Sequence, residues 1–438
     1  LTKEEVKPEH SNWRIRHFLQ TYKLPELEQW FDELLDAWFI WAEFQYQWQK
    51  ARDASMQHLE FPFPYRKGQR ELVSGVYRTI LRKKELFVQA PTGIGKTMST
   101  VFPAIRAIGE GCGDRLFYLT AKTITRTVAE EAVSILKEKG LQFKAITLTA
   151  KEKMCILDEP ECDPIHCPRA KGHFDRINAA VYEMLTECDS YTREEVLRQA
   201  EKWNVCPHEF QFDVASWVDG VICDYNYAFD PTSKLKRFFA EGTKGDYIFL
   251  IDEAHNLVDR ARSMYTAELN QGLFHALCNT APGSIRSALQ RVGRHWEQLN
   301  RVQEQDYQIY PSVPDLFVAA LQKAVTAITD HLSEQPDGHE RSLLQFYLDA
   351  MLFCRLSEVY GPHSLFDITR QQNNMLSLDT TLCLRNVVPA PFLADRFSDA
   401  HTTTLFSATL RPANYYRDLL GLPEEAQWID VASPFAAE

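Results

Sequence analysis

Two segments far apart in the chain carry residue types that suit phosphate chemistry. The first consists of Ala90, Pro91, Thr92, Gly93, Ile94, Gly95, Lys96 and Thr97. Its glycines allow successive backbone N–H groups to wrap phosphate oxygens, and a helix N-terminus behind them favours negative charge. In such a loop Lys96 contacts the β- and γ-phosphates, and the Thr97 hydroxyl coordinates Mg²⁺. The strict pattern begins with glycine where this chain has Ala90, but the position of the loop between an apolar strand and a helical pattern supports the prediction.

The second segment ends an apolar run with two adjacent acids. The run YIFLI leads directly to Asp252 and Glu253. Asp252 would hold Mg²⁺, usually through water, and Glu253 would orient and deprotonate the attacking water. Such a pair alone most often lies on a surface, but together with the phosphate loop it predicts a site that hydrolyses ATP.

Four more residues extend the predicted site. Gln69, in PYRKGQ, can offer both a donor and an acceptor to one edge of adenine, although a surface glutamine fits the same spacing. Ser407 and Thr409 follow a β-branched run, and we expect them to hydrogen-bond with the acidic strand and report the γ-phosphate. His255 is predicted to couple the nucleotide to a second ligand, with simple packing as the alternative.

Four of the ten cysteines form a separate candidate metal site. Cys155, Cys162, Cys167 and Cys206 follow the spacing C-x6-C-x4-C-x38-C, mostly in polar sequence. Four thiolates suffice for a tetrahedral Zn²⁺ or for a 4Fe-4S cluster. The spacing lacks a C-x2-C pair, which favours iron, while zinc and four unligated thiols remain alternatives. The other six cysteines are predicted to be ordinary buried residues.

Length and composition set limits on what this protein is. The 438 residues exceed one ordinary core and predict about two to four domains. A hydrophobic fraction of 45% with 25% charged residues is typical of a soluble globular protein, and no apolar run reaches the ~18 residues of a membrane span. The net charge of −12 does not attract a polyanion, so any nucleic acid must bind locally. We expect a cytoplasmic enzyme and, from Leu1 and the uncapped end, a fragment.

Alternation of short apolar runs with helical patterns predicts an α/β fold with a parallel sheet, interrupted by two insertions. The predicted parts are an N-terminal helical segment or linker at 1–60, a sheet domain at 61–150, 218–256 and 377–438, a cysteine-bearing insertion at 151–217 and an all-helical insertion at 257–376.

The order of these parts resembles the XPD and DinG-like helicases of superfamily two, in particular bacterial members with an iron–sulfur cluster. In that family a cluster domain lies before the DEAH strand and a helical arch lies between the DEAH and SAT strands. Here Cys155–Cys206 and the segment after the LIDEAH strand occupy these places. VICDYNYAFDP at 221–231 and PYRKGQ also resemble family segments. The resemblance covers about 60–438.

The resemblance implies a RecA-like first motor domain, a 4Fe-4S domain and an arch, with ATP and Mg²⁺ at the nucleotide site. It implies a 5′-to-3′ translocase on single-stranded or forked DNA in repair or replication, in the bacterial cytoplasm and without a membrane partner. His255 would then couple the nucleotide to DNA. Tyr225, Tyr227 and Phe229 would stack on bases or lie in the core.

The resemblance also implies a partner domain. A second motor domain would complete the ATP pocket with an arginine, and we expect this chain to end before it. QRVGRHW from Gln290 resembles the family's arginine motif, but its place before the SAT strand puts it in the second insertion. The 438 residues alone are therefore expected to bind nucleotide, to hydrolyse it slowly and not to unwind DNA. The alternative is a nucleotide-dependent switch or scaffold with the same phosphate loop; the oligomeric state stays open.

Overall fold

The computed structural model describes residues 21–162, 164–240, 245–334, 341–372 and 378–432. The strands are β1 (Glu85–Gln89), β2 (Arg115–Leu119), β3 (Ala145–Thr147), β4 (Ser190–Tyr191), β5 (Gly220–Cys223), β6 (Tyr247–Asp252), β7 (Ala267–Asn270), β8 (Tyr307–Tyr310), β9 (Ser364–Gln372), β10 (Leu378–Asn386), β11 (Thr402–Ser407) and β12 (Gln427–Asp430). The α-helices are α1 (Leu24–Gln57), α2 (Gln69–Leu81), α3 (Lys96–Gly109), α4 (Thr123–Glu138), α5 (Lys151–Met154), α6 (His173–Glu187), α7 (Arg193–Lys202), α8 (Pro207–Ala215), α9 (Asn226–Phe229), α10 (Lys236–Phe239), α11 (Leu257–Met264), α12 (Gln271–Thr280), α13 (Gly283–Val302), α14 (Asp315–Glu334), α15 (Arg341–Glu358), α16 (Ala390–Asp399) and α17 (Ala413–Leu420).

Eight strands form one parallel sheet in the order β12-β1-β11-β6-β2-β5-β3-β4. The central strands are short apolar or β-branched runs, as expected of parallel strands that are covered on both faces. All six residues of β11 are buried, as are the last five of β6. The predicted α/β fold with a parallel sheet is confirmed. Parallel pairing brings the carboxyl ends of these strands to one edge, where such sheets bind ligands.

The first insertion lies between β3 and β5 and contains α5 to α8 and β4, while its cysteine-bearing residues 155–162 and 164–172 form turns and loops. Its helices α6, α7 and α8 pack on the core beneath one face of the large sheet. Strand β4 pairs with β3 and forms the edge of that sheet, so the insertion is part of the same layer as the motor strands.

The second insertion is not all-helical, and that prediction was wrong. Strands β7, β10, β9 and β8 form an antiparallel sheet that packs with α12 to α15 around Trp296 and Phe317. Strands β7 and β8 have four residues each and lie between long helices, so the helical patterns around them dominated the sequence; β9 and β10 have nine residues each and follow the last of these helices. The predicted boundary between 376 and 377 separates β9 from β10, which pair along nine positions. The chain therefore returns to the large sheet after Asn386.

The predicted N-terminal helical segment appears as the single helix α1, and its part before residue 21 lies outside the described residues. The C-terminal half of α1 is fixed to the motor. Trp48 donates its indole N–H to Asp219 over 3.1 Å, Arg52 pairs with Asp219 at 2.8 Å, and the Lys144 ammonium lies 3.8 Å from the Trp48 ring centroid. The N-terminal half exposes apolar side chains, among them Trp30 and Trp38. Within the described segments, no helix has the length and apolar character to cross a bilayer.

The contact of α1 with α3 predicts the effect of one substitution. A Cβ at Gly109 would lie 2.3 Å from Met56 Cβ and 3.2 Å from the Gln57 nitrogen, both fixed to the backbone of α1. We expect G109A to lower the free energy of unfolding by about 1–3 kcal/mol, because overpacking forces the helices apart. Urea unfolding followed by circular dichroism measures it. G283A is the matched control, since a Cβ at Gly283 meets nothing within 4 Å; equal midpoints for the two variants would contradict the prediction.

Candidate nucleotide-binding site

The predicted phosphate loop connects β1 to α3 and turns at two glycines. Gly93 and Gly95 have φ of +81° and +77°, which side-chain-bearing residues seldom adopt. Helix α3 begins at Lys96, whose ammonium donates to the Ala90 carbonyl over 3.2 Å. The Ala90 N–H donates to the Ser407 carbonyl over 2.9 Å, so the start of the loop is tied to the end of β11. The loop therefore has the backbone shape and the helix N-terminus that a phosphate group requires.

Gln69 is buried against the phosphate loop and hydrogen-bonds to it. It is 5% exposed, so the alternative of a surface glutamine is excluded. Its amide nitrogen donates to the Ile94 carbonyl, its amide oxygen accepts the Arg66 N–H over 2.7 Å, and the Arg66 guanidinium donates to the Gly93 carbonyl. The adenine contact stays a prediction, because both amide atoms of Gln69 already have protein partners.

The acidic pair lies at the end of β6, beside the phosphate loop. Asp252 is 4% exposed and accepts two hydrogen bonds, one from the Tyr118 hydroxyl at 2.6 Å and one from the Glu253 N–H at 2.8 Å. Burial raises the pKa of Asp252, while the Tyr118 hydrogen bond and the nearby Lys96 charge lower it. The Thr97 hydroxyl is 3.4 Å from the Tyr118 hydroxyl. The two predicted Mg²⁺ ligands, Thr97 and Asp252, are thus neighbours of one tyrosine.

Glu253 occupies a strained backbone position. Its φ of +49° is left-handed, which costs a non-glycine residue about 1–3 kcal/mol. Such a conformation persists only where the surroundings hold it, and Asn256 helps to do so by donating its N–H to the Glu253 carbonyl over 2.9 Å. The turn directs the Glu253 side chain towards β11.

The predicted coupling residues form one network between β6 and β11. His255 Nδ1 is 2.7 Å from the Ser407 hydroxyl and 3.3 Å from Glu253 Oε2. Ser407 donates to Glu253 over 3.4 Å and accepts the Thr409 N–H at 3.3 Å. The structure therefore brings His255 and Ser407 to Glu253, while Thr409 joins the network only through its backbone N–H to Ser407.

Two tyrosines at this site were not identified from the sequence as site residues. Tyr118 lies inside the ordinary apolar run RLFYL, and nothing in that run marks its hydroxyl as functional. Tyr225 was assigned either to base stacking or to the core. Tyr225 and Phe229 are 0% and 2% exposed, so both belong to the core, and the Tyr225 hydroxyl contacts the backbone of Asp252 and Glu253.

The four candidate metal-ligating cysteines lie in the first insertion. Lys151 hydrogen-bonds the Cys162 sulfur and lies near Cys155, and both contacts raise the pKa of Lys151. The Cys206 N–H donates to His173 over 3.2 Å. Among the described residues, however, no three His, Cys, Asp or Glu side chains lie close enough to hold a metal ion. The donor set and the nearby cation suit a thiolate-bound group, but the four sulfurs do not form a closed site.

Two helicase family models match this chain. Residues 69–160 match the DEAD/DEAH box helicase family, and residues 119–273 match the DEAD_2 family. The chain is 23% identical over 265 residues to a regulator of telomere elongation helicase 1 homolog of Caenorhabditis elegans, covering 50% of this chain and 26% of that protein. It is 22% identical over 297 residues to the regulator of telomere elongation helicase 1 of Bos taurus, covering 56% and 23%. The chain thus spans about a quarter of the length of these relatives.

Solved structures share the fold. A structure titled "XPD_Helicase" has a TM-score of 0.54 at 16% identity and covers 83% of this chain and 62% of that one. A structure titled "Truncated XPD" has a TM-score of 0.52 at 16% identity and covers 82% of this chain and 99% of that one. The fold is therefore that of a RecA-like helicase domain with its insertions.

Asp252 is a buried acid, so we expect its ionised form to lower the free energy of unfolding. Burial raises the pKa of Asp252 in the folded protein above its unfolded value, so its stabilising contribution is complete at acid pH and is lost as pH rises through the folded pKa. At pH 7.5 without divalent cations we expect D252N to unfold at higher urea concentration than the wild type. The difference should vanish below about pH 3, under the unfolded pKa of about 3.9, where the carboxyl is protonated in both states.

Urea midpoints at the two pH values check this prediction, with D259N as the control because the Asp259 side chain is 85% exposed. A D252N midpoint equal to or below that of D259N at pH 7.5 would contradict it.

Proposed function

We propose that this protein is an ATP-dependent DNA helicase of the XPD-like group, because residues 69–160 match the DEAD/DEAH box helicase family and residues 119–273 match the DEAD_2 family. The observation that carries the proposal is the convergence of the phosphate loop, the acidic pair and Ser407 at one edge of the parallel sheet. An ATPase needs a phosphate cradle, a metal ligand and a base within reach of one γ-phosphate, and this edge supplies the three together.

Each side chain then has a separate role in hydrolysis. Lys96 neutralises charge on the β- and γ-phosphates, and Glu253 orients the attacking water and accepts its proton. Thr97 and Asp252 hold Mg²⁺, which supplies charge stabilisation on the phosphate oxygens when it is bound. Ser407 contacts Glu253 directly, so it is placed to sense the γ-phosphate and pass that state to β11.

The finer parts of the proposal concern DNA and the remainder of the motor. We infer single-stranded or forked DNA as the substrate, 5′-to-3′ movement, and a role in repair or replication in a bacterial cytoplasm; the support is the family resemblance of the ordered motifs. A second motor domain supplies the arginine that completes the pocket. Contacts with DNA must be local, because the net charge of −12 repels a polyanion at long range.

We also infer that Cys155, Cys162, Cys167 and Cys206 hold a 4Fe-4S cluster. The support is the donor set, its position in the first insertion and the Lys151 ammonium beside the Cys162 sulfur. A bound cluster would crosslink the loop before α6 to the start of α8, both within the first insertion.

The ATPase assignment is tested by the E253Q variant of the full-length protein. We expect ATP hydrolysis stimulated by single-stranded DNA, and a loss of at least about 100-fold in kcat for E253Q with nucleotide affinity retained, because only the base is removed. E201Q, on an exposed part of α7, is the control and should match the wild type. Tight nucleotide binding without DNA-stimulated hydrolysis would instead favour a switch or scaffold. Robust unwinding by the 438-residue chain alone would contradict the need for a second domain.

The cluster is tested by anaerobic purification with metal analysis. We expect a broad absorption near ~400 nm and about four irons per chain, both strongly reduced in C206S. C354S is the control, because Cys354 is buried in the second insertion among apolar side chains. Colourless protein that contains zinc would replace the cluster by a zinc site, and protein without either metal would refute both.

A further inference from the structure

Two buried tyrosine hydroxyls converge on the acidic pair. Tyr118 on β2 and Tyr225 just after β5 are 1% and 0% exposed. The Tyr118 hydroxyl donates to the Asp252 carboxylate at 2.6 Å. The Tyr225 hydroxyl is within hydrogen-bond reach of the main-chain carbonyls of Asp252 and of Glu253, the latter at 3.1 Å. One tyrosine thus contacts the side chain of the pair, and the other contacts its backbone.

The Tyr225 contact falls where the backbone needs support. Glu253 is a non-glycine residue with φ of +49°, and a turn of this kind relaxes unless neighbouring groups fix it. Tyr225 supplies a side-chain restraint on the carbonyls of the turn, and it does so in a dry environment where a hydrogen bond is strong. A relaxed turn would move the Glu253 carboxylate relative to the γ-phosphate.

Tyr225 is itself held on both sides. The preceding Asp224 accepts the Arg126 guanidinium at 3.1 Å and the Arg260 guanidinium at 2.7 Å. The following Asn226 accepts a second hydrogen bond from Arg260 at 2.8 Å. Because α4 supplies Arg126 and α11 supplies Arg260, the residues on either side of Tyr225 are anchored to two helices.

Tyr118 fixes the other member of the pair. One Asp252 oxygen accepts the Tyr118 hydroxyl and the other accepts the Glu253 N–H, so the carboxylate cannot rotate freely. Each carboxylate oxygen can accept more than one hydrogen bond, so the remaining lone pairs are available for Mg²⁺ or its water. The Thr97 hydroxyl is 3.4 Å from the same tyrosine oxygen.

We propose that Tyr118 and Tyr225 are positioning residues for ATP hydrolysis. Tyr225 holds the left-handed turn that aims Glu253, and Tyr118 holds the Asp252 carboxylate that binds Mg²⁺. This inference rests on the proposed function. The two roles differ in what they affect: loss of the Tyr225 hydroxyl acts on the chemical step, and loss of the Tyr118 hydroxyl acts on the Mg²⁺ requirement.

The test is steady-state ATP hydrolysis by the full-length protein with saturating single-stranded DNA, for Y225F, Y118F and Y191F. We expect kcat of Y225F to fall about tenfold with KM for ATP within about twofold, the signature of an interaction needed only in the transition state. For Y118F, we expect the Mg²⁺ concentration at half-maximal rate to rise about fivefold, with the rate largely restored at saturating Mg²⁺.

Y191F is the matched control. Tyr191 is 1% exposed, and its hydroxyl donates to the Cys188 carbonyl at 2.6 Å, so the substitution removes a similar buried hydrogen bond away from the site. We expect Y191F to keep the kcat, the KM and the Mg²⁺ dependence of the wild type. The ATP dissociation constant of each variant, measured in parallel, reports whether the pocket is intact.

The outcomes separate the two levels of the proposal. If Y225F and Y118F behave as the wild type while E253Q is inactive, the positioning roles are overturned and the ATPase stands. If Y225F loses ATP affinity together with kcat, or Y191F loses activity equally, the hydroxyl has a general structural role and the inference is also overturned. If the wild type does not hydrolyse ATP, the proposed function itself fails.

Discussion

The parallel register of β1, β11 and β6 is the constraint on which the rest of the structure depends. It aligns Gln89 with Ser407 and Phe406 with Asp252, so three strands end at the same level. The Ala90 N–H continues the ladder by donating to the Ser407 carbonyl. A slip of one residue in any pair would turn its side chains to the opposite face and separate the loop from the acids. The apolar faces of these strands, buried in two cores, fix that register.

The burial that fixes the register also places the acidic pair in energetically unfavourable positions. The strand ends bring Asp252 into a nearly dry position, which raises its pKa, and force Glu253 into a left-handed turn. Hydrogen bonds from Tyr118, Tyr225 and the Glu253 N–H offset part of that cost. Because Tyr118 lies on a buried strand and Tyr225 is a buried core residue, the acids are held in place before any ligand arrives, as pre-organised catalysis requires.

The sequence predicted the site residues that lie in short motifs and missed the features that depend on contacts between distant segments. Lys96, Thr97 and the acidic pair belong to short segments whose residue types reflect local needs, such as positive φ at Gly93 and Gly95. Tyr118 could not be found this way, because an apolar strand buries tyrosine as readily as phenylalanine and only the tertiary contact gives its hydroxyl a partner. The antiparallel sheet was missed for the same reason: β7 pairs with β10 across four intervening helices. The closure of the cysteine site likewise depends on segments that sequence spacing does not place.

The second insertion has a short, stiff connection to the nucleotide site. Helix α11 begins at Leu257, directly after the turn that contains Glu253, and ends two residues before β7. At that base Arg262 donates to the Val387 carbonyl over 2.9 Å, which ties the start of the insertion to its return. Arg260, on the same helix, pairs with Asp224 beside Tyr225. Only α11 and the two residues after it separate the acidic turn from β7, so a short and regular segment joins the nucleotide site to the base of the insertion.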